Sequence, residues 1–422
     1  MLLNLQSLLG LLGVIGACWL LSENKRRFPA LLVLGAVSVQ IGLILFFFAL
    51  PSSAVVLNAI SGTIAALANA TARGTQFIFG YLGGGAQPYA VENPGALFVF
   101  AFQVLPLILV ISALSALLWH WHILRWITRG FGLLFQKTMG LGGASALAVA
   151  ANIFLGMIES PIVIRAYLDK LTRSELFMLI VVGFSTVAGS TMVAYATILA
   201  PTMANAAGHV LVASIISAPA GVMLARIMVP ETPGQGGAFA DYRSALRYDS
   251  GIDAIVKGTA DGLMVVLNIS AVLIVFVSLV ALVNLVLGNF WLLGEPVTLE
   301  RLLGYAFAPI AFAMGIEWRD ALTGGWLLGV KLTLTEFVAF IELGNVPADA
   351  ISARTRMIMT YALCGFANIG SVGIVVTGLS VLIPQRREEV LAMVWKALFA
   401  GFLATILSAS VIGLLPSAVF GA

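Results

Sequence analysis

Long apolar runs, almost free of charge, recur along this chain, and no other feature narrows its possible folds as far. They fall at 2–21, 28–50, 94–119, 176–201, 207–226, 262–290, 357–383 and 390–416. A helix of about 20 apolar residues crosses the roughly 30 Å hydrocarbon core of a bilayer with its backbone polar groups paired internally. Eight such runs predict an all-α, polytopic membrane protein with eight transmembrane helices. Composition agrees: 10% of the 422 residues are charged, against about 25% in soluble domains. A net charge of +3 with no basic stripe gives nucleic acid no footing. Cys18 and Cys364 both lie in apolar runs and read as free thiols. The first run has no basic segment before it and Lys25-Arg26-Arg27 after it, the order of a retained span rather than a cleaved leader.

Two further apolar segments are interrupted by a glutamate. Residues 138–165 contain Glu159 in "LGMIESPIVIR", and about 322–345 contain Glu336. The distribution of basic residues decides how these segments run. With Lys25, Arg26 and Arg27 in the cytoplasm, the third run delivers Arg125, Arg129 and Lys137 to that side. The fifth delivers Arg226, Arg243, Arg247 and Lys257, and the seventh Arg386 and Arg387. The alternation holds only if neither glutamate-bearing segment crosses. Each is predicted to enter and return on one side, the first from the cytoplasm and the second from outside; Arg354 and Arg356 then fall outside, against the rule. Two re-entrant hairpins of opposite orientation are the mark of an inverted repeat. The sequence echoes it: "GFSTVAGS" (Gly183–Ser190) follows the first hairpin and "GFANIGSV" (Gly365–Val372) the second. Inverted repeats with broken helices place a substrate site near the bilayer midplane.

The chain is therefore expected to divide into 1–120, N-terminal scaffold spans with an interfacial helix at 51–75, and 121–228, the first hairpin with two spans. Residues 229–299 should hold a cytoplasmic interfacial helix at 240–260 and a scaffold span, and 300–422 the second hairpin with two C-terminal spans.

A carboxylate at mid-membrane costs about 2.5–3.5 kcal/mol even on insertion scales, so Glu159 and Glu336 should face a cavity or a partner. Thr186, Asn368 and Ser371 lie in apolar helices, where small polar residues often join neighbouring helices. In "CGFANIGSVG" (Cys364–Gly373), however, glycines flank the polar pair. Glycine weakens the helix there, and unwound carbonyls could coordinate an ion. His120 and His122 sit among Trp119, Trp121 and Trp126 and read as an interfacial belt rather than a metal site. No nucleophile–base pattern is present, so an enzyme is not expected.

These motifs together resemble the concentrative nucleoside transporter family. The resemblance rests on "ANIFLGMIESPIVIRAYLDKLTRSELFMLIVVGFSTVAGSTMVAYA" (Ala151–Ala196), "LTEFVAF" (Leu334–Phe340) and "ALCGFANIGSVGIVVTGLSVLIPQRR" (Ala362–Arg387), in order over roughly 120–422. It implies a homotrimer in a bacterial inner membrane, ion-driven nucleoside uptake and an elevator movement of the substrate domain. By matching position it implies Glu336, Asn368 and Ser371 on the ribose hydroxyls, with Phe366 beside them. Glu159 would lie on the nucleobase side and Thr191 against the base. It implies a sodium site made by the side chains of Asn152 and Thr186 and the carbonyls of Leu155 and Val187. Proton coupling through Glu159 or Glu336 is the alternative.

The chain also departs from the family pattern. Many members read Gly-Gln-Thr-Glu or Gly-Gln-Ser-Glu at the first hairpin tip; this chain reads Gly156-Met157-Ile158-Glu159. An uncompensated base hydrogen bond is worth about 1–3 kcal/mol, so Met157 and Ile158 should shift base selection toward shape and stacking. Thr335 stands where an asparagine usually precedes the second glutamate.

Overall fold

The structure is a computed structural model that describes residues 2–49, 53–90, 97–232, 246–292 and 294–420. Helices α1 (Leu2–Leu20) and α2 (Ala30–Phe48) open the chain. α3 (Ser53–Phe79) occupies the stretch expected as an interfacial helix. The third apolar run becomes α4 (Phe100–Gln103) and α5 (Pro106–His120), with a proline at the helix start, where its missing N–H has no intrahelical acceptor to lose. α6 (Ile123–Met139) is amphipathic: Leu124, Thr128, Gly132, Phe135 and Met139, three or four residues apart, form its buried face.

The first hairpin follows as α7 (Gly143–Leu155) and α8 (Glu159–Val163). α7 has 13 residues, about 20 Å at the helical rise of ~1.5 Å per residue, too short to span a bilayer. Its tip turns through Gly156, whose φ of +98° excludes a side chain without strain. The next span is broken into α9 (Arg173–Ser185) and α10 (Gly189–Leu199), and α11 (Ala206–Met228) runs unbroken beside it.

One expectation is corrected in the next segment. An interfacial helix at 240–260 and a separate span at 262–290 were expected, but the described part is a single 37-residue helix, α12 (Gly251–Leu287). Ser250 caps it by accepting from the Asp253 N–H at 3.1 Å, and Lys257 pairs with Asp253 one turn apart at 2.9 Å. Of the charged residues read as a surface helix, Asp253 and Lys257 lie in the first turns of this helix, which is about 55 Å long, and Arg247 and Asp249 precede it. Asp241 and Arg243 lie outside the described residues.

α13 (Leu299–Ala313) was not foreseen. It leads into α14 (Trp318–Thr333) through a bend of 117°. α14 and α15 (Glu336–Asn345) form the second hairpin, which thus begins at residue 318. The seventh apolar run is broken into α16 (Ala353–Leu363) and α17 (Ile369–Leu382), and α18 (Arg387–Leu414) closes the bundle. Among the described residues seven helices are long and apolar enough to cross a membrane, the α4–α5 and α9–α10 pairs each counted as one. The remaining expected run, 357–383, is divided between α16, of 11 residues, and α17, of 14, each too short to cross alone.

The two arginines that ran against the charge rule are consumed inside the protein. Arg356 donates to the carbonyls of Leu343, Val346 and Pro347 at 2.8–2.9 Å, closing the end of α15. Arg354 donates to the carbonyls of Gly315 and Gly413. Neither is a free loop charge, so neither weighs on orientation in the way the rule assumes.

α9, α11 and α18 form the buried centre. The two halves meet there in a paired way. The hydroxyls of Ser217 on α11 and Ser408 on α18 lie 3.3 Å apart. The break between α16 and α17 crosses the break between α9 and α10, where the Phe366 N–H donates to the Thr186 carbonyl at 3.2 Å. A Cβ on Gly365 would fall 2.8 Å from the Ser185 carbonyl oxygen, so glycine alone permits this crossing.

Candidate functional site

α15 starts at Glu336 because Thr335 caps it, its hydroxyl accepting from the Val338 N–H at 3.2 Å. Threonine thus does the capping work at this position. The helix N-terminus favours a carboxylate at this point. Glu336 is 5% exposed, and both its oxygens are held. The Tyr195 hydroxyl donates to Oε1 at 2.9 Å and the Asn368 amide donates to Oε2 at 2.7 Å. Tyr195 is fixed by stacking on Phe340, centroids 4.2 Å apart, and by an edge contact with Phe337 at 5.4 Å.

Asn368 performs a second task. It is the cap of α17, its Oδ1 accepting from the Ser371 N–H at 2.8 Å. The glycine-flanked pair is therefore not inside a helix but at the restart of one. α10, α15 and the α16–α17 break converge on one carboxylate. Ser371 is buried in the first turn of α17, and Phe366, in the break, is half-buried. Thr191 lies one turn before Tyr195 on α10, its hydroxyl donating to the Ala188 carbonyl at 2.9 Å.

Glu159 begins α8 and is half-buried. Its Oε2 lies 3.0 Å from where a Gly156 side chain would start. Ser160 ties the two arms, its hydroxyl donating to the Ala148 carbonyl at 2.7 Å. Met157 packs on Gly183 of α9, and Ile158 on Gly378 of α17. Gly378 is seven residues, two helical turns, beyond Ser371, so Ile158 abuts the same face of α17 that begins with Ser371.

On the α7 arm of the first hairpin, Asn152 is fully buried, and neither its amide oxygen nor its amide nitrogen has a hydrogen-bond partner. Its oxygen lies toward Gly183. Thr186 is fully buried at the end of α9, its hydroxyl donating to the Val182 carbonyl at 2.9 Å, which leaves its lone pairs free. Leu155 ends α7 and Val187 lies in the α9–α10 break. The Ser214 hydroxyl reaches the carbonyls of Val187 at 3.3 Å and Ile153 at 3.4 Å. An unpartnered buried amide costs about 1–3 kcal/mol, and oxygen donors beside an unwound segment suit a small hard cation. The donor set therefore fits a sodium ion.

Sequence reasoning missed three buried polar residues. Tyr195 could have been found, since it follows Thr191 at helical spacing. Ser214 lies in a run with no other signal. Lys331 precedes Glu336 by five residues and is fully buried. Its ammonium donates to the Ala362 carbonyl and the Thr405 hydroxyl, each at 2.7 Å, over the Phe402 ring.

Paired half-length hairpins, broken helices and a carboxylate held at their crossing define a membrane transporter that binds solute within the bundle. Comparison with known proteins narrows this. Residues 9–82 and 209–413 match the N- and C-terminal parts of the Na+ dependent nucleoside transporters, and 101–202 match a segment described as "Nucleoside recognition". The chain is 38% identical to the transporter YutK of Bacillus subtilis over 418 residues, 97% of this chain and 99% of that one. It is 32% identical to the nucleoside permease NupC of Helicobacter pylori over 97% of each. It superposes on the inward-facing, substrate-bound structure of CNTnw with a TM-score of 0.87 at 34% identity, covering 97% of this chain and 98% of that one. The chain belongs to the concentrative nucleoside transporter family. It is a transporter and not an enzyme.

Proposed function

We propose that this chain is a sodium-coupled nucleoside importer of the bacterial inner membrane, working as a homotrimer by an elevator movement. The observation that carries the reading is the Glu336 carboxylate, held by Tyr195 and Asn368 where two broken helices cross. An ionised carboxylate offers about four lone-pair directions, and these two donors use one on each oxygen. The remaining acceptor capacity suits the two adjacent hydroxyls of a ribose. Ser371 adds a hydroxyl and Phe366 a half-buried ring from the same break.

The first hairpin tip would meet the base, with Glu159 as its polar group, Met157 and Ile158 as apolar walls, and Thr191 against the ring. Sodium would be held by the Asn152 and Thr186 side chains and the Leu155 and Val187 carbonyls. The bond from the Phe366 N–H to the Thr186 carbonyl joins the ion-side break to the substrate-side break, a direct route for coupling. Sodium is favoured over a proton because the orphaned group at this place is an amide, which does not titrate. In this reading 121–228 and 300–422 form the moving substrate domain with the two re-entrant hairpins, and 1–120 and 229–299 the scaffold.

Uptake of labelled uridine and adenosine by vesicles carrying Glu336→Gln tests the reading. Loss of uptake with normal membrane insertion is expected; uptake at the unmutated rate would overturn the site.

A further inference from the structure

The repeat relation gives Lys331 a role. Ser217 and Ser408 face each other where α11 crosses α18, and we take this like-to-like contact as the point where the two helices correspond across the repeat. Three residues before each lie Ser214 and Thr405. In the first half the Ser214 hydroxyl bridges the end of the hairpin arm to the helix break, donating to the Ile153 carbonyl and accepting from the Val187 N–H. Asn152 stands beside this bridge with its amide unpartnered. In the second half the Thr405 hydroxyl also stands between the hairpin arm and the end of the broken helix. There the space is filled by the Lys331 ammonium, which donates to Thr405 and to the Ala362 carbonyl at 2.7 Å each. Lys331 is two residues from the end of α14, and Asn152 three from the end of α7. One half thus holds an unpartnered oxygen donor, and the other a positive charge bound by oxygen donors.

We propose that Lys331 is a tethered cation that occupies, in the second half of the fold, the place equivalent to the coupling-ion site of the first. The second half then takes no ion, and one sodium accompanies each nucleoside. Lys331 is a positioning residue: it fixes the end of α16 against α14, and through that hairpin the placement of Glu336. This rests on the sodium site proposed above.

The test is equilibrium binding of labelled uridine to the purified full-length protein across a sodium chloride series, with choline chloride holding ionic strength constant. The unmutated protein, Asn152→Ala, Lys331→Gln and Thr405→Val are compared. Binding by the unmutated protein should depend on sodium to first order. Lys331→Gln should weaken uridine binding by about tenfold or more at a sodium concentration that saturates the unmutated protein. Further sodium should restore it, with the dependence rising toward second order as a free ion fills the vacated place. Second-order dependence in the unmutated protein, or a Lys331→Gln variant with unmutated affinity and sodium dependence, would overturn the proposal. Should Lys331→Gln fail to give a monodisperse protein, Thr405→Val, which removes only one acceptor, decides in the same way with a smaller loss. Failure of the sodium site shows separately, as binding by the unmutated protein that ignores both sodium and Asn152→Ala. The tethered cation then stands or falls on the affinity of Lys331→Gln alone.

Discussion

Asn368 holds two structures together, and replacing it in two ways separates them. Its amide nitrogen donates to Glu336 at 2.7 Å and its amide oxygen caps α17 through the Ser371 N–H at 2.8 Å. A hydrogen bond to a charged partner contributes about 1.5–3 kcal/mol, and a helix cap about 0.5–2 kcal/mol. Serine caps as well as asparagine does, but its hydroxyl is too short to reach Glu336. Asn368→Ser should therefore lose only the first contribution, and Asn368→Ala both. Uridine uptake into proteoliposomes should fall in both variants by about 10- to 150-fold, the loss of 1.5–3 kcal/mol expressed as a ratio. The apparent melting midpoint of the purified protein should separate them. Asn368→Ala should melt below Asn368→Ser by up to about 4 °C, since a kilocalorie moves the midpoint of a large chain by roughly 2 °C or less. Uptake by Asn368→Ser at the unmutated rate would refute the Glu336 contact as a functional one. Equal midpoints would refute the division of labour.

Three further outcomes follow from the geometry. Tyr195→Phe keeps the ring stacked on Phe340 and removes the donor to Glu336; uridine affinity should drop about tenfold or more with the melting midpoint nearly unmoved, as read by binding and thermal-shift assays. Gly365→Ala would set a methyl 2.6 Å from the Thr405 methyl and 2.8 Å from the Ser185 carbonyl oxygen; the variant should lose its monodisperse size-exclusion peak, and a normal peak with normal uptake would contradict the crossing of the two breaks. Met157→Gln combined with Ile158→Thr restores polar groups at the first hairpin tip. Competition between uridine and adenosine should shift by about 5- to 10-fold, and an unchanged ratio would remove these positions from base selection.

The hairpins and their glutamates were legible because a charge inside an apolar segment is expensive and leaves few placements. The helix breaks were legible in part: the glycines of "CGFANIGSVG" pointed to unwinding, but not to Asn368 as the capping residue. α12 was misread because its charged first turns and its apolar remainder look like two elements in a linear pattern; only the cap at Ser250 and the unbroken helix after it show one. α13 was missed because its uncharged run, 302–316, is shorter than a span and carries Pro309 inside it. Tyr195 and Lys331 act through contacts 141, 31 and 74 residues away in sequence, and no local pattern carries such a pairing. Arg354 and Arg356 counted against the topology until their backbone acceptors were seen.

The most direct test of the account is concentrative uptake. In proteoliposomes holding the full-length protein, an inward sodium gradient at equal internal and external pH should drive uridine above its external concentration. Collapsing that gradient with a sodium ionophore should return it to equality. Accumulation that ignores sodium and follows an imposed pH gradient, or uridine that only equilibrates under either gradient, would contradict it.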